Sequence, residues 1–152
     1  MKIAVFPGSF DPVTRGHESI VRRAIPLFDK IIIAIGINTE KTGFFPMEKR
    51  LQWLRETFAD LPQVEVAEYH GLTVDFCKEK KAEYIIRGLR TSADFEFERN
   101  IAQVNTRLES NIETVFLLTL PEHVMITSSI VREVYKYGGD VKQFIPHTIN
   151  IL

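Results

Sequence analysis

An unbroken run of β-branched residues and alanine, Ile31 to Ile35, is the feature that most limits how this chain can fold. A strand with one face in water alternates apolar and polar residues, whereas a strand that is covered on both faces does not. The run therefore predicts a buried strand of a parallel sheet. Shorter apolar runs predict four more strands, at Ile3 to Phe6, Val64 to Ala67, Tyr84 to Ile86 and Thr114 to Leu118.

Segments with helical periodicity separate these runs. After His17, the apolar residues Ile20, Val21, Ala24 and Leu27 follow the i, i+3, i+4, i+7 spacing of an amphipathic helix, whose last turn Pro26 is expected to distort. Because strands and helices alternate, we expect an α/β fold with a five-stranded parallel sheet and helices on both faces. A second helix is predicted to start at Pro46, with Met47, Leu51, Leu54 and Phe58 facing inward and Trp53 off that face. Three more helices are predicted at Thr73 to Lys80, Ala93 to Leu108 and Ile130 to Tyr137.

Composition narrows the possible functions. The chain has 152 residues and a net charge of −1, so we expect one domain, residues 1–152, with no basic excess for nucleic-acid or membrane-surface binding. The single cysteine, Cys77, excludes an intrachain disulfide, and we expect it to be a core residue. There is no signal-peptide pattern and no apolar run of membrane-spanning length, which predicts a cytoplasmic protein.

Polar residues follow several of the predicted strands. In parallel α/β sheets, ligands bind beyond the carboxyl ends of the strands, so residues that follow different strands meet there. A glycine turn, three cations and a hydroxyl-capped helix at one edge predict a site for a polyphosphate. The candidates in these positions are Ser9, Lys41, Arg87, Arg90 and Ser128.

The stretch Gly8 to His17, GSFDPVTRGH, leads from the first strand to the first helix. A helix N-terminus attracts phosphate, and His17 would add a donor there, although a histidine in this position can also be only a cap or a core residue. Asp11 is interpreted as a residue that holds the local turn rather than as a metal ligand or a base. Arg87 and Arg90 have a similar alternative, as ordinary ion-pair partners of Asp94, Glu96 or Glu98.

GSFDPVTRGH resembles the G-[ST]-F-D-P-x-x-x-G-H signature of the nucleotidylyltransferase superfamily, with seven of ten positions specified. IRGLR followed by ADFEFE, together with the later TSS-x-V-R-E segment, resembles the phosphopantetheine adenylyltransferase family, and the resemblance covers essentially the whole chain. It implies a Rossmann-like fold and the reversible transfer of an adenylyl group from ATP to 4′-phosphopantetheine, in the pathway to coenzyme A. It also implies a homohexamer, and Mg²⁺ bound mainly through the phosphates of ATP, with no protein metal ligand.

The resemblance also assigns roles to individual positions. His17, Lys41 and Arg90 match catalytic positions, His17 at the α-phosphate and Lys41 at the attacking phosphate. Ser9, Lys41, Thr73 and Arg87 match positions that bind 4′-phosphopantetheine. The positions that match ATP contacts are Ser9, Phe10, His17, Gly88, Leu89, Arg90, Glu98, His123, Val124, Met125, Ile126, Thr127, Ser128 and Ser129.

Three alternatives remain from the sequence. Nicotinate-mononucleotide adenylyltransferases share the first motif but are generally longer, and glycerol-phosphate cytidylyltransferases carry an RTxGIST-type segment where this chain has ITSSIVRE. A non-catalytic nucleotide-binding module would not need the cations of a transferase.

The stripe of Phe97, Ile101, Val104 and Leu108 is expected to be core, although the implied hexamer makes it a candidate for subunit contacts.

Overall fold

The computed structural model describes residues 1–151, which form alternating strands and helices. The strands are β1 (Ile3–Gly8), β2 (Lys30–Gly36), β3 (Val64–Tyr69), β4 (Tyr84–Leu89) and β5 (Glu113–Leu118). The helices are α1 (Arg15–Ala24), α2 (Met47–Thr57), α3 (Thr73–Glu79), α4 (Ser92–Leu108) and α5 (Ser128–Lys136). Short 3₁₀ turns cover Ile25–Leu27 and Pro121–His123. The first of these turns contains Pro26, so the predicted distortion after α1 is confirmed.

The five strands form one parallel sheet in the order β3-β2-β1-β4-β5, which confirms the predicted fold class. β2 is buried on both sides, from Ile31 to Ile35, as its unbroken apolar sequence predicts. Alternate residues of the strands enter two clusters. One cluster includes Val21 of α1, Leu54 of α2 and Val131 of α5, and the other includes Cys77 of α3.

The strand order reverses between β1 and β4. The chain leaves β1 toward β2 and β3, and later returns to β1's other side with β4. Register between β1 and β4 is limited to Ala4 with Tyr84 and Val5 with Ile85. Beyond that point the Arg87 guanidinium donates a hydrogen bond to the carbonyl of Pro7. The carboxyl ends of the two central strands therefore border a crevice, the usual ligand position in open α/β sheets.

Some sequence predictions about facing were wrong. Leu27 is 49% exposed because the 3₁₀ turn rotates it away from the face used by α1. Trp53 is only 5% exposed, and it packs edge-on against Phe45 at 5.0 Å between ring centres. The inward face of α2 thus includes Trp53 together with the buried Arg50 and Thr57. The predicted residues also face inward: Leu54 and Phe58 are buried, and Met47 and Leu51 pack against the same core.

The apolar stripe of α4 is not core. Phe97 is 66% exposed, Ile101 42%, Val104 57% and Leu108 53%. Glu98 is the buried residue of this helix, so α4 presents its apolar stripe outward and directs a carboxylate toward the sheet. A helical stripe shows that a face is apolar, but it does not identify what covers that face.

Residues 140–151 pack onto the core after α5, which the sequence analysis did not predict. Val141, Ile145, Ile149 and Ile151 are buried in the cluster that contains α1 and α2. This segment also holds the start of α1, since the Arg15 guanidinium donates to the carbonyls of Ile145 and Lys142, both at 2.9 Å. Within residues 1–151, no helix has the length and apolar character that crossing a membrane requires.

Candidate active site

Ser9, directly after β1, lines three cavities at the carboxyl edge of the sheet. The first cavity, about 400 Å³, lies beside the start of α1 and the start of α5. The second, about 300 Å³, lies between the sheet and α4 and includes Thr73 and Arg87. The third, about 560 Å³, lies under the segment that carries Lys41. Three spaces that share one serine form a junction at which two ligands can be brought together.

The structure brings most of the candidate residues to these cavities. Thr73 and Lys41 lie apart from the others, in the second and third cavities respectively. Arg87 and Glu98 line both the first and the second cavity. Leu89, Val124 and Met125 are outside the linings of all three in the described chain, and Met125 is 68% exposed. The candidates that line the first cavity are Ser9, Phe10, His17, Gly88, Arg90, Glu98, His123, Ile126, Thr127, Ser128 and Ser129.

His17 forms a capping box with Thr14 at the start of α1. The Thr14 hydroxyl accepts from the His17 amide at 3.3 Å, and the Thr14 amide donates to Nδ1 of His17 at 3.0 Å. A backbone amide can only donate, so Nδ1 must be the unprotonated nitrogen and the neutral ring carries its hydrogen on Nε2. The prediction that His17 could be a cap is therefore correct, and the same hydrogen bond leaves Nε2–H available as a donor.

The surroundings of His17 keep the ring neutral. Burial, followed by the positive charges of Arg87 and Arg90, lowers the pKa of His17 from its ordinary value to about 4. The ring lies at 4.9 Å from that of Phe10, which in turn packs at 5.3 Å from Phe6. At neutral pH, His17 is thus an uncharged and rigidly held hydrogen-bond donor on the wall of the first cavity.

Arg87 and Arg90 are both held by carboxylates of α4. Arg87 makes a two-pronged pair with Glu98, at 2.8 Å from Nε and 2.7 Å from Nη2, and Glu98 is 7% exposed. Arg90 pairs with Asp94 through Nε at 3.1 Å and Nη2 at 3.2 Å. The ion pairs weighed in the sequence analysis therefore exist, and they fix the direction in which each guanidinium faces the first cavity. Arg87 lies within β4 rather than after it.

The N-terminus of α5 is docked on the loop that follows β1. Thr127 caps the helix by accepting from the amide of Ile130 at 3.0 Å, as predicted. The Ser128 hydroxyl instead donates to the carbonyl of Pro12 at 2.8 Å. Arg132, one turn further on, donates to the carbonyl of Asp11 at 2.8 Å and lines both the first and the third cavity. Two neighbouring helix starts, α1 and α5, thus border the first cavity.

Sequence reasoning missed Arg132, Arg50 and the actual role of Asp11. Arg132 stands in the TSS-x-V-R-E segment, four residues after Ser128, so helical spacing already placed both on one face. Arg50 is a buried arginine on the apolar face of α2, a position where a charged residue is unusual and therefore informative. Asp11 does not hold its own turn: its carboxylate accepts from the amides of Phe44 at 2.7 Å and Phe45 at 2.9 Å.

One polar atom in the first cavity's lining lacks a partner. Nδ1 of His123 is buried and makes no hydrogen bond within residues 1–151. Buried polar atoms are almost always paired in folded proteins, so this nitrogen is an exception among the residues that line the cavity.

Comparison with known proteins places this arrangement in a family. The sequence profile described as cytidylyltransferase-like matches residues 5–134. The chain is 53% identical over 151 residues to the phosphopantetheine adenylyltransferase of Flavobacterium johnsoniae, covering 99% of each protein. It is 54% identical over 151 residues to that of Flavobacterium psychrophilum, again with 99% of each covered.

The fold is also similar to that of a solved nucleotidyltransferase. A bifunctional NMN adenylyltransferase/ADP ribose pyrophosphatase from Francisella tularensis superposes with a TM-score of 0.72 at 19% identity. The superposition covers 95% of this chain and 44% of that protein. At this identity the similarity concerns the fold alone.

Proposed function

The chain belongs to the phosphopantetheine adenylyltransferase family of the cytidylyltransferase-like proteins and is a nucleotidyltransferase, and we propose that it transfers the adenylyl group of ATP to 4′-phosphopantetheine. A phosphate oxygen of 4′-phosphopantetheine attacks the α-phosphorus of ATP in line, and the bond to the β-phosphate oxygen breaks. The products are dephospho-coenzyme A and pyrophosphate, and the reaction runs in both directions. The observation that carries this proposal is the junction of three cavities at Ser9.

Each substrate has a cavity whose chemistry suits it. ATP takes the first cavity, where the starts of α1 and α5 and the cations Arg90 and Arg132 face its phosphates. The pantetheine arm takes the second cavity, where the Thr73 hydroxyl, bonded to the Tyr69 hydroxyl at 2.8 Å, supplies a polar group beside α4. Arg87 lines both cavities, so it is proposed to contact phosphate where the two substrates meet.

His17 stabilises the transition state in this proposal. Negative charge grows on the non-bridging oxygens of the α-phosphate as the new bond forms, and a donor that is already fixed needs no reorganisation to meet it. Nε2–H of His17 is such a donor because Nδ1 is occupied by the Thr14 amide. Because the pKa of His17 is lowered to about 4, the ring is already neutral at neutral pH and acts as a hydrogen-bond donor rather than as a cation.

The protein supplies no nucleophile. The reacting phosphate attacks directly, so catalysis consists of holding two anions together against their repulsion. Lys41 is proposed to hold the attacking phosphate, and Arg90 the phosphates of ATP. The single cysteine, Cys77, is buried in the core, where burial raises its thiol pKa to about 12, and it cannot act as a thiolate near neutral pH.

Mg²⁺ is proposed to arrive with ATP and to remain bound to its phosphate oxygens and water. The donor set fits this, because the acidic side chains lining the first cavity, Asp94 and Glu98, are already paired with Arg90 and Arg87. Within residues 1–151 no group of three metal-ligating side chains comes together. A bound Mg²⁺ would neutralise the phosphate charge that the arginines leave uncompensated.

The proposal includes a cytoplasmic location and a homohexamer. The outward stripe of α4, with Phe97 66% and Val104 57% exposed, supports subunit contacts on that face. Sedimentation velocity of the purified protein tests the assembly, and Phe97→Glu is expected to shift a hexamer toward smaller species. A monomer under dilute conditions, unaffected by Phe97→Glu, would contradict it.

The reaction is tested by pyrophosphate release. Purified protein with ATP and Mg²⁺ is given 4′-phosphopantetheine, and parallel reactions contain nicotinate mononucleotide with ATP or glycerol 3-phosphate with CTP. Release only with 4′-phosphopantetheine, together with dephospho-coenzyme A detected by mass spectrometry, is the expected result. Pyrophosphate release with another acceptor would mean that this acceptor, and not 4′-phosphopantetheine, is the substrate. No release with any of the three, despite ATP binding, would favour a non-catalytic nucleotide-binding module.

A further inference from the structure

Two loops that belong to neighbouring strands are tied together at the carboxyl edge of the sheet. The loop after β1 contains Ser9 and Asp11, and the segment after β2 contains Lys41. Asp11 is 6% exposed, and its two carboxylate oxygens accept separately from the amides of Phe44, at 2.7 Å, and Phe45, at 2.9 Å. A buried carboxylate that accepts two amide hydrogen bonds across 33 and 34 residues is a specific link between these loops.

Arg50 supplies a second link between the same two loops. Its Nε donates to the carbonyl of Phe45 at 3.0 Å and its Nη1 to the carbonyl of Ser9 at 2.9 Å. The side chain is 7% exposed, although it comes from α2 and carries a charge. Gly43 passes so close to it that a Cβ there would stand 2.7 Å from Nη2. The guanidinium thus fills the space between the loops and fixes their separation.

The Lys41 segment has few contacts other than these. Residues 38–44 are exposed, and Lys41 itself forms no ion pair within residues 1–151. One end of the segment is held where the Ile37 amide donates to the Tyr69 carbonyl at 2.8 Å. The other end is held at Phe44 and Phe45, three and four residues after Lys41, through their hydrogen bonds with Asp11 and Arg50. The backbone position of Lys41 relative to Ser9 is therefore set largely by these two side chains.

We propose that Asp11 and Arg50 are positioning residues that act through Lys41, holding its ammonium where the attacking phosphate arrives. The inference rests on the proposed function and assigns a role to two residues to which that function gives none. Both lie in the lining of the third cavity beside Lys41. Their hydrogen bonds fix the second end of an exposed segment whose first end is held by the Ile37–Tyr69 hydrogen bond, which reduces the entropy lost when Lys41 engages phosphate.

The chemistry of each residue makes conservative variants informative. An ionised carboxylate offers an acceptor to each of two amides, whereas the side-chain NH₂ of asparagine would face one amide donor to donor. Asp11→Asn therefore removes one link at nearly constant volume. A lysine at position 50 retains the charge but loses the fork that joins the Ser9 and Phe45 carbonyls.

The test is a double-mutant cycle that combines Asp11→Asn with Lys41→Ala. Asp11→Asn alone is expected to lower kcat roughly 10-fold to 100-fold, as for loss of a charged hydrogen bond, with KM for ATP changed by less than about threefold. In the Lys41→Ala background, Asp11→Asn should have almost no further effect on kcat. Arg50→Lys should give the same pattern with a smaller loss.

Asp29→Asn is the matched control. The Asp29 carboxylate also accepts a backbone amide hydrogen bond, from Lys2 at 2.6 Å, but at the opposite edge of the sheet. It should leave kcat unchanged. The single tryptophan, Trp53, packs against Phe45 and reports the local change: its emission should shift in Asp11→Asn and not in Asp29→Asn.

The outcomes separate the two proposals. Activity with 4′-phosphopantetheine and equal losses from Asp11→Asn in both backgrounds would overturn the positioning role while leaving the proposed function intact. Silence of the unaltered protein with 4′-phosphopantetheine would overturn both. If Asp11→Asn lowers the melting temperature so far that it is unfolded at the assay temperature, Arg50→Lys in the same cycle decides by the same criterion.

Discussion

The loop after β1 and the segment after β2 begin at adjacent parallel strands and reach the same edge, yet they are built differently. In the first loop Phe10, Asp11 and Thr14 are 3%, 6% and 1% exposed. In the second, residues 38–44 are exposed, and within residues 1–151 the amide of Lys41 donates only to the carbonyl of Asn38, three residues earlier, at 3.3 Å. One loop is packed before any ligand arrives, and the other is anchored only at its ends.

Backbone conformation supports the same contrast. Phe10 has φ of 45°, which is unusual for a bulky residue and persists only where packing imposes it. Its ring lies so close to Gly8 that a Cβ there would stand 3.0 Å from it. Under the proposed function, the donors for ATP are fixed by packing, whereas the lysine for the second substrate is positioned only through the anchored ends of its segment.

Removing the packed donor should have the largest effect. His17→Ala is expected to lower kcat about 10²-fold to 10³-fold, the range for a lost oxyanion donor, with a much smaller change in ATP affinity measured by calorimetry. His147→Ala, an exposed histidine outside the three cavities, is the control. Normal turnover of the His17→Ala variant would show that the packed loop does not supply a catalytic donor.

Removing the exposed ammonium of Lys41 should have a smaller effect than removing His17, and the effect should be on the reaction with 4′-phosphopantetheine rather than on ATP binding. Lys41→Ala is expected to lower kcat/KM for 4′-phosphopantetheine roughly 10-fold to 100-fold and to leave ATP affinity within about twofold. Lys49→Ala, an exposed lysine of α2, serves as the control. Equal loss of affinity for both substrates would mean that the two loops do not serve separate ligands.

The pH dependence of the free energy of unfolding tests whether the folded protein disfavours the protonated form of His17. The unfolded chain protonates His17 below its ordinary pKa of 6.5, whereas the folded chain does so only near pH 4. Between these values the unfolded state binds more protons, so the free energy of unfolding falls as the pH falls, and above 6.5 His17 contributes no dependence. Urea unfolding at about pH 5 and about pH 7 should show a smaller difference in His17→Gln than in the unaltered protein.

The smallest effect is expected within the exposed segment. Asn38 organises its turn by accepting from the Glu40 amide through Oδ1 at 2.9 Å. Asn38→Ala removes one exposed, neutral hydrogen bond, so KM for 4′-phosphopantetheine should rise by only about twofold to fivefold, without change in KM for ATP. A loss as large as that of Lys41→Ala would show that the segment is more ordered than its contacts indicate.

Much of the fold could be predicted because burial on both faces leaves a direct mark on sequence. Ile31 to Ile35 has no polar residue, and the structure buries all five. The hydroxyl cap at Thr127 and the helix end at Gly138, whose φ is 78°, follow local rules that act over a few residues. Candidate site residues clustered for an equally simple reason: parallel strands end at one edge.

The remainder depends on tertiary arrangement, which local sequence does not encode. Asp11 and Phe44 are brought together by the pairing of β1 with β2, so the sequence offered no spacing from which their hydrogen bond could be predicted. The α4 stripe has ideal periodicity but faces outward because the inward side carries Glu98, the partner of Arg87. Which of two faces a helix buries is decided by the neighbours it meets.

The packing of residues 141–151 against the start of α1 has a consequence for synthesis of the protein. The Arg15 amide donates to the Phe144 carbonyl at 2.9 Å, and its guanidinium reaches Ile145, 130 residues later in the chain. On the ribosome, the loop after β1 is synthesised well before residues 141–151 and lacks these partners until that segment has been translated. Until then the start of α1 is held incompletely, and the candidate site beside it depends on a contact that forms late because it joins distant parts of the chain.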